Sequence, residues 1–253
     1  MKEPLTLANI NVFAILRNLE ELWKLDENTR KILEGKDMSI QFIVKNGPRA
    51  YLRFKDGTCT FNKGQIPCKM KLYFKSPQHL NDMFEGKANP IPLKGLTQIN
   101  FLKNEFTELT NRLTYFLKPT DELLKDSTYF KTNTILSAYT AFMTLVEIGN
   151  SDRIGKLNAK RIPEGVISIE IAKSDIAIQI ISDGEGNLEG RKGKTLTPRA
   201  FMIFDSLNTA NALLNGKIDS FSCIATGGLQ MKGYIPMVEY LSKLLAQVPT
   251  YLK

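Results

Sequence analysis

The side chains most able to do chemistry are few in this chain, and they stand apart. The single histidine, His79, falls in a turn with Ser76, Pro77 and Gln78. It has no cysteine or acid at ligand spacing, so it reads as a surface residue. A serine–histidine relay would have to recruit that one imidazole, and no Gly-x-Ser-x-Gly elbow is present. Gly190, Gly193, Lys194 and Thr195 look like the tail of a phosphate-binding loop. However, Leu188 stands where its first glycine belongs, and Thr197 and Pro198 preclude a helix directly after it. A basic hairpin turn is the better reading there. The acidic pairs Glu20–Glu21 and Asp121–Glu122 fall at helix starts or on polar faces, where they favour the dipole or face water. Cys59, Cys68 and Cys223 lack C-x-x-C spacing and read as inert, reduced thiols of a cytoplasmic protein. No catalytic residue, metal ligand or cofactor is expected.

What remains is apolar. With 43% hydrophobic and 24% charged residues, the 253-residue chain has enough material for a sizeable core in each half. No apolar run approaches the ~18 residues of a membrane span, and the N-terminus reads as free of a signal peptide. The net charge of +8 is uneven: residues 1–119 carry 19 Lys+Arg against 12 Asp+Glu, and residues 120–253 carry 15 against 14. A basic first half suits a transient contact with an anionic membrane surface, although lysines also simply decorate solvated surfaces. Aromatic and basic residues do not interleave as a base-stacking surface requires, so nucleic acid is not expected.

The elements that would position an apolar site come in two sets. Phe74, Ser76, Asn81, Gly86 and Lys87 recur as Phe204, Ser206, Asn211, Gly216 and Lys217, each shifted by 130 positions. Each set describes a strand end, a serine-capped short helix and a glycine stop. Around them the first half predicts an amphipathic helix through Val12, Leu16, Leu19 and Trp23, then a short turn ending near Gly35. Strands follow over Met38–Val44 and over a tight hairpin turning at Asp56–Gly57. A cleanly alternating strand then runs from Cys68 to Phe74, and a long helix from Ile99 to Leu117 closes the half. The second half repeats this order. It predicts a helix through Ile135 to Val146 ended by Gly149, strands at Ile167–Ile171, Ile176–Ile180 and Ala200–Phe204, and a strand at Gly228–Gly233. A last helix has Pro236 in its first turn. The expectation is an α+β duplicate with domains at 1–119 and 120–253, each a mostly antiparallel sheet with amphipathic helices on one face.

On these residues the chain resembles the sterol carrier protein (sterol-binding, lipid-transfer) domain family, in two tandem copies. The second half matches from Phe204 and Ser206 through Leu213, Gly216 and Lys217, then Gly227, Leu229 and Gly233, then Met237 to Leu245. The first half matches from Pro67 to Pro90, but Lys87 to Gly95 spans 8 positions where Lys217 to Gly233 spans 16. The shortened loop leaves open whether the first half has a complete cavity. The resemblance implies an apolar tunnel between sheet and helices, closed by the C-terminal amphipathic helix. Its candidate lining in the second half is Phe201, Ile203, Leu213, Phe221 and Leu229, with Met231, Met237, Tyr240, Leu241 and Leu244. In the first half it is Met70, Leu72, Met83 and Phe84, with Phe106, Leu109 and Leu113. Residue by residue, plain core is the competing reading. The implied function is non-catalytic binding or transfer of a fatty acid, acyl-CoA, sterol or similar lipid. The alternative is an accessory or scaffold protein that presents a lipidic intermediate to an enzyme or mediates protein–protein contact.

Overall fold

The computed structural model describes residues 2–252. The chain divides into two units, Met1–Asp121 and Glu122–Lys253. Unit 1 begins with α1 (Pro4–Ile10), a π turn (Asn11–Ile15), a 3-10 turn (Leu16–Asn18) and α2 (Leu19–Leu25) along one continuous helical path, followed by α3 (Glu27–Leu33). Strands β1 (Met38–Val44), β2 (Arg49–Lys55), β3 (Thr58–Lys63) and β4 (Met70–Phe74) lead to α4 (Pro77–Phe84) and β5 (Ile91–Lys94). A closing helical stretch joins α5 (Ile99–Phe101), a π turn (Leu102–Phe106) and α6 (Thr107–Leu117).

Unit 2 begins with α7 (Ser127–Ser151) and α8 (Arg153–Ala159). Then come β6 (Gly165–Ile171), β7 (Ala177–Ser182), β8 (Leu188–Lys192), β9 (Ala200–Phe204) and α9 (Leu207–Leu214). The unit ends with α10 (Ser220–Ala225), β10 (Leu229–Gly233), α11 (Ile235–Leu245) and α12 (Val248–Leu252).

The two sheets have one topology. Unit 1 orders its strands β3-β2-β1-β4-β5; unit 2, read from its β8 edge, runs β8-β7-β6-β9-β10. In each, the central pair is parallel (β1 with β4, β6 with β9) and every other pairing is antiparallel. The fold is therefore a duplicated α+β unit with mixed five-stranded sheets.

The repeated residues explain themselves in this frame. Ser76 and Ser206 sit in extended backbone and accept the N–H of His79 and Thr209, capping α4 and α9. Gly86 and Gly216 take φ of +74° and +70°, the left-handed stop that costs a side chain dearly. Buried Asn81 accepts a hydrogen bond from Asn11 (3.0 Å) and donates to the Pro4 carbonyl (2.9 Å), tying α4 to the first helical path. Asn211 does the same for α9, donating to Asn133 Oδ1 and Thr134 Oγ1 at 2.8 Å each.

Three expectations are corrected. Gly149 does not end its helix, because α7 continues to Ser151. A Cβ on Gly149 would lie 2.6 Å from Leu188, so this glycine makes room for packing. The basic hairpin turn expected over 190–195 is not one, because Gly190 to Lys192 belong to the edge strand β8, paired with β7, and only the residues from Gly193 onward are loop. His79 is half-buried, not a free surface residue. Its Nδ1 accepts the Lys75 N–H at 3.1 Å and its ring packs edge-on against Phe74.

Candidate functional site

Strand register decides which apolar residues share a face. In unit 2, Ile169 stands opposite Ile178 and Met202, and Met202 stands opposite Met231. Ile167, Ile171, Ile180, Ala200, Phe204 and Leu229 fall on that same inner face, and all of them are buried. Helix α11 lies over β9 and β10 and buries Met237, Val238, Leu241 and Leu244 completely or nearly so. Its entry is fixed by Gly233, at φ +87°, where a Cβ would meet the Arg199 carbonyl oxygen and the next N–H, of Tyr234, donates to that same oxygen at 2.9 Å. Only a residue without Cβ lets the chain pass so close.

The candidate lining therefore divides. Leu229, Met237, Leu241 and Leu244 gather between the inner face and α11, with half-buried Met231 at the open edge of β10 and half-buried Tyr240 on α11. Phe201 and Ile203 alternate with Met202 and stand on the opposite face of the sheet. Leu213 is half-buried on α9, while Phe221 on α10 is 84% exposed. Met231 is thus the one apolar inner-face strand residue of unit 2 that the helices leave partly open among the described residues. Beside its strand lies α10, which turns Phe221 and Ile224 outward.

Unit 1 fills the equivalent space with rings. Phe106 and Phe101, on the closing helical stretch, pack on Phe42 of β1 and Phe54 of β2 at centroid distances of 6.2 and 5.7 Å. Met70, Leu72, Leu109 and Leu113 are buried among them, whereas Met83 is half-buried and Phe84 is exposed on α4. Two open surface depressions of about 590 and 350 Å³ occur in unit 1. None of the candidate apolar residues lines either one.

The titratable groups hold structure together. Asp26 caps α3 and pairs with Arg112 through two hydrogen bonds of 2.6 and 2.7 Å. Burial alone would raise its pKa; the bonds from Arg112 and Thr29 outweigh that and hold the carboxyl below its ordinary value. Burial pushes the Cys68 thiol up, and does the same to Cys223 with help from the charges of Asp205 and Asp219. The three cysteines are buried and unpaired to one another. Among the described residues no group of three His, Cys, Asp or Glu side chains could hold a metal ion, and no helix is long and apolar enough to cross a membrane.

The arrangement is that of a duplicated sheet-and-helix unit whose apolar interior lies under its last long helix. No family model and no curated protein matches the chain. Among solved structures, the chain is similar to the sterol carrier protein domain 2 of Helicoverpa armigera (14% identity, TM-score 0.36, 45% of this chain and 89% of that one). It is also similar to a UbiJ-SCP2 ubiquinone synthesis protein (14%, 0.34, 45% and 96%). A third is sterol carrier protein 2 from Yarrowia lipolytica in its apo form (15%, 0.31, 40% and 91%).

Residues missed at the sequence level are those whose partners are remote. Asn11, Asn133 and Thr134 hold the repeated asparagines from the preceding helices. Gln41, 1% exposed in mid-strand, donates to the carbonyls of Ala50 and Gly64 and accepts the Ile66 N–H, stitching the loop after β3 to the sheet. Polar type at an outward strand position gave no hint of these roles.

Proposed function

We propose that unit 2 binds one apolar molecule (a fatty acid, acyl-CoA, sterol or similar lipid) between α11 and the inner sheet face, and carries it in the cytoplasm without bond chemistry. The observation that carries this reading is the partly open position of Met231 on the inner face of the edge strand β10, beside an α10 that exposes Phe221 and Ile224. The proposed lining is Leu229, Met231, Met237, Leu241 and Leu244, with Tyr240 and Leu213 at its margins; Phe201 and Ile203 lie outside it. Met supplies a wall that adapts to different ligands.

Energetics favour partial opening. Exposing Met237, Val238, Leu241 and Leu244 together would cost on the order of 6–12 kcal/mol, at about 1.5–3 kcal/mol per side chain. Full release of α11 is therefore rare, and a parting along β10 is the accessible route. About ten ligand methylenes, at ~0.8 kcal/mol each, offset a cost of that size, which fits an acyl chain or a polycyclic body.

Unit 1 serves a different role, because Phe101 and Phe106 occupy the equivalent space. That filled interior favours the second reading, an accessory or scaffold unit that offers contact surface. The outer sheet face of unit 1, with Arg49, Arg53 and Lys71, adds long-range attraction to anionic headgroups.

Titration with a fluorescent fatty acid tests the reading. Saturable uptake at one site per chain is expected, weakened at least roughly tenfold by Met231→Arg, since a half-exposed position tolerates the change in folding but charges the opening. A chain that takes up no fatty acid or sterol, yet co-purifies with a protein partner, would establish the scaffold reading instead.

A further inference from the structure

Helix α8 turns an unusual face outward. Ile154 and Leu157, one helical turn apart, are each 62% exposed. Around them Arg153, Lys156, Lys160 and Arg161 are all exposed, and no Asp or Glu occurs from Arg153 to Pro163. Surface helices ordinarily present polar residues of both signs there.

This display is held rigidly from behind. Ala159 is fully buried, and a Cβ on Gly155 would fall 2.2 Å from the Ile148 carbonyl oxygen, so α8 lies tight on the end of α7. Asp152 caps α8, accepting the N–H groups of Ile154 (2.9 Å) and Gly155 (2.7 Å), while its other oxygen accepts the Tyr251 hydroxyl at 2.7 Å. The apolar pair cannot turn inward without breaking these contacts.

The duplication supplies an internal control. Helix α3, at the same place in unit 1, also starts from a capping aspartate, Asp26, and buries Thr29 and Leu33. Its outward residues are Glu27, Arg30, Lys31 and Glu34, of both signs, and Lys31 pairs with Glu27 at 2.8 Å. The shared fold therefore requires neither exposed aliphatics nor one-sided charge at this position. Both are particular to α8.

We propose that the outward face of α8 docks on an anionic phospholipid bilayer. Such a surface offers an apolar boundary for Ile154 and Leu157 and negative headgroups for the exposed Lys156 and Lys160 beside them at once. Helix α8 packs against α11, with the Arg161 guanidinium 5.8 Å from the centre of the Tyr240 ring. Docking thereby places the helix over the proposed ligand site at the bilayer. The surface stands on its own geometry: a chain that binds vesicles but no apolar ligand keeps this inference and loses the carrier reading.

Vesicle flotation of the full chain tests it, with phosphatidylcholine alone and with phosphatidylglycerol added. Binding to the anionic vesicles only, weakening with salt, is expected. Lys156→Gln with Lys160→Gln should lower partitioning roughly 30-fold. Ile154→Ser with Leu157→Ser should lower it roughly tenfold or more, and Lys31→Gln in α3 should leave it nearly unchanged. All of these positions are exposed, and circular dichroism confirms that each variant folds. Equal binding to neutral vesicles, no binding, or binding indifferent to both α8 variants would overturn the proposal. So would a solution dimer that dissociates when Ile154 and Leu157 are replaced, since the face would then belong to a second copy.

Discussion

The Asp26–Arg112 pair gives a sharp stability prediction. One carboxylate, 8% exposed, accepts the Thr29 N–H (2.8 Å), the Thr29 hydroxyl (2.7 Å) and two guanidinium bonds from Arg112 (2.6 and 2.7 Å). Asp26→Ala removes a helix cap, worth about 1 kcal/mol, and charge-assisted bonds worth about 1.5–3 kcal/mol. Arg112 is 25% exposed, so water still reaches it, and the total stays near 2.5–4 kcal/mol and not higher. Asp26→Asn keeps a capping oxygen and should lose only the charged part. Because the native pKa is depressed, that part is fully present above the ordinary aspartate value of about 4 and disappears as pH falls through the lower native value. Trp23, the sole tryptophan, lies in unit 1 just before Asp26, so its fluorescence during urea unfolding reports the relevant unit. A double-mutant cycle with Arg112→Met should give a coupling of about 1.5 kcal/mol or more at neutral pH. A coupling under about 0.5 kcal/mol, or one unchanged in strong acid, would mean that the Asp26 charge does not hold Arg112.

Three further outcomes are expected. Asn81→Ala and Asn211→Ala should each cost about 1–3 kcal/mol by stranding buried partners, and Trp23 fluorescence should register the first far more than the second. Gly155→Ala should destabilise by at least ~1–3 kcal/mol in a thermal melt, since its methyl meets backbone and not a yielding side chain. Alkylation of Cys68 and Cys223 at neutral pH should be slow in the native protein and complete in urea, because burial raises both thiols; rapid native labelling of Cys223 would contradict the packing.

The sequence made the duplication and most of the sheet legible. Strict alternation in Met70–Phe74 and Ala200–Phe204, and the serine and glycine that bracket α4 and α9, are local signals that survive folding. Lateral register is not local. Alternation tells that Phe201 and Met202 face opposite ways, but not that Met202, through Met231, defines the inner side, so a reading from alternation alone groups Phe201 and Ile203 with residues across the sheet. Helix α8 escaped because it buries Gly155 and Ala159 and exposes Ile154 and Leu157, inverting the usual periodic pattern. Strand β8 escaped because Gly190, Arg191 and Lys192 have turn-like composition, although Gly190 is there to clear Met143, 2.5 Å from where its Cβ would be.

Native mass spectrometry of the full chain, followed by solvent extraction and lipid analysis, shows whether unit 2 carries an apolar ligand. One apolar molecule per chain is expected, displaced in Met231→Arg, with no second molecule in the ring-filled interior of unit 1. An empty chain that also refuses added lipid would contradict the carrier reading, and two molecules per chain would contradict the closed state of unit 1.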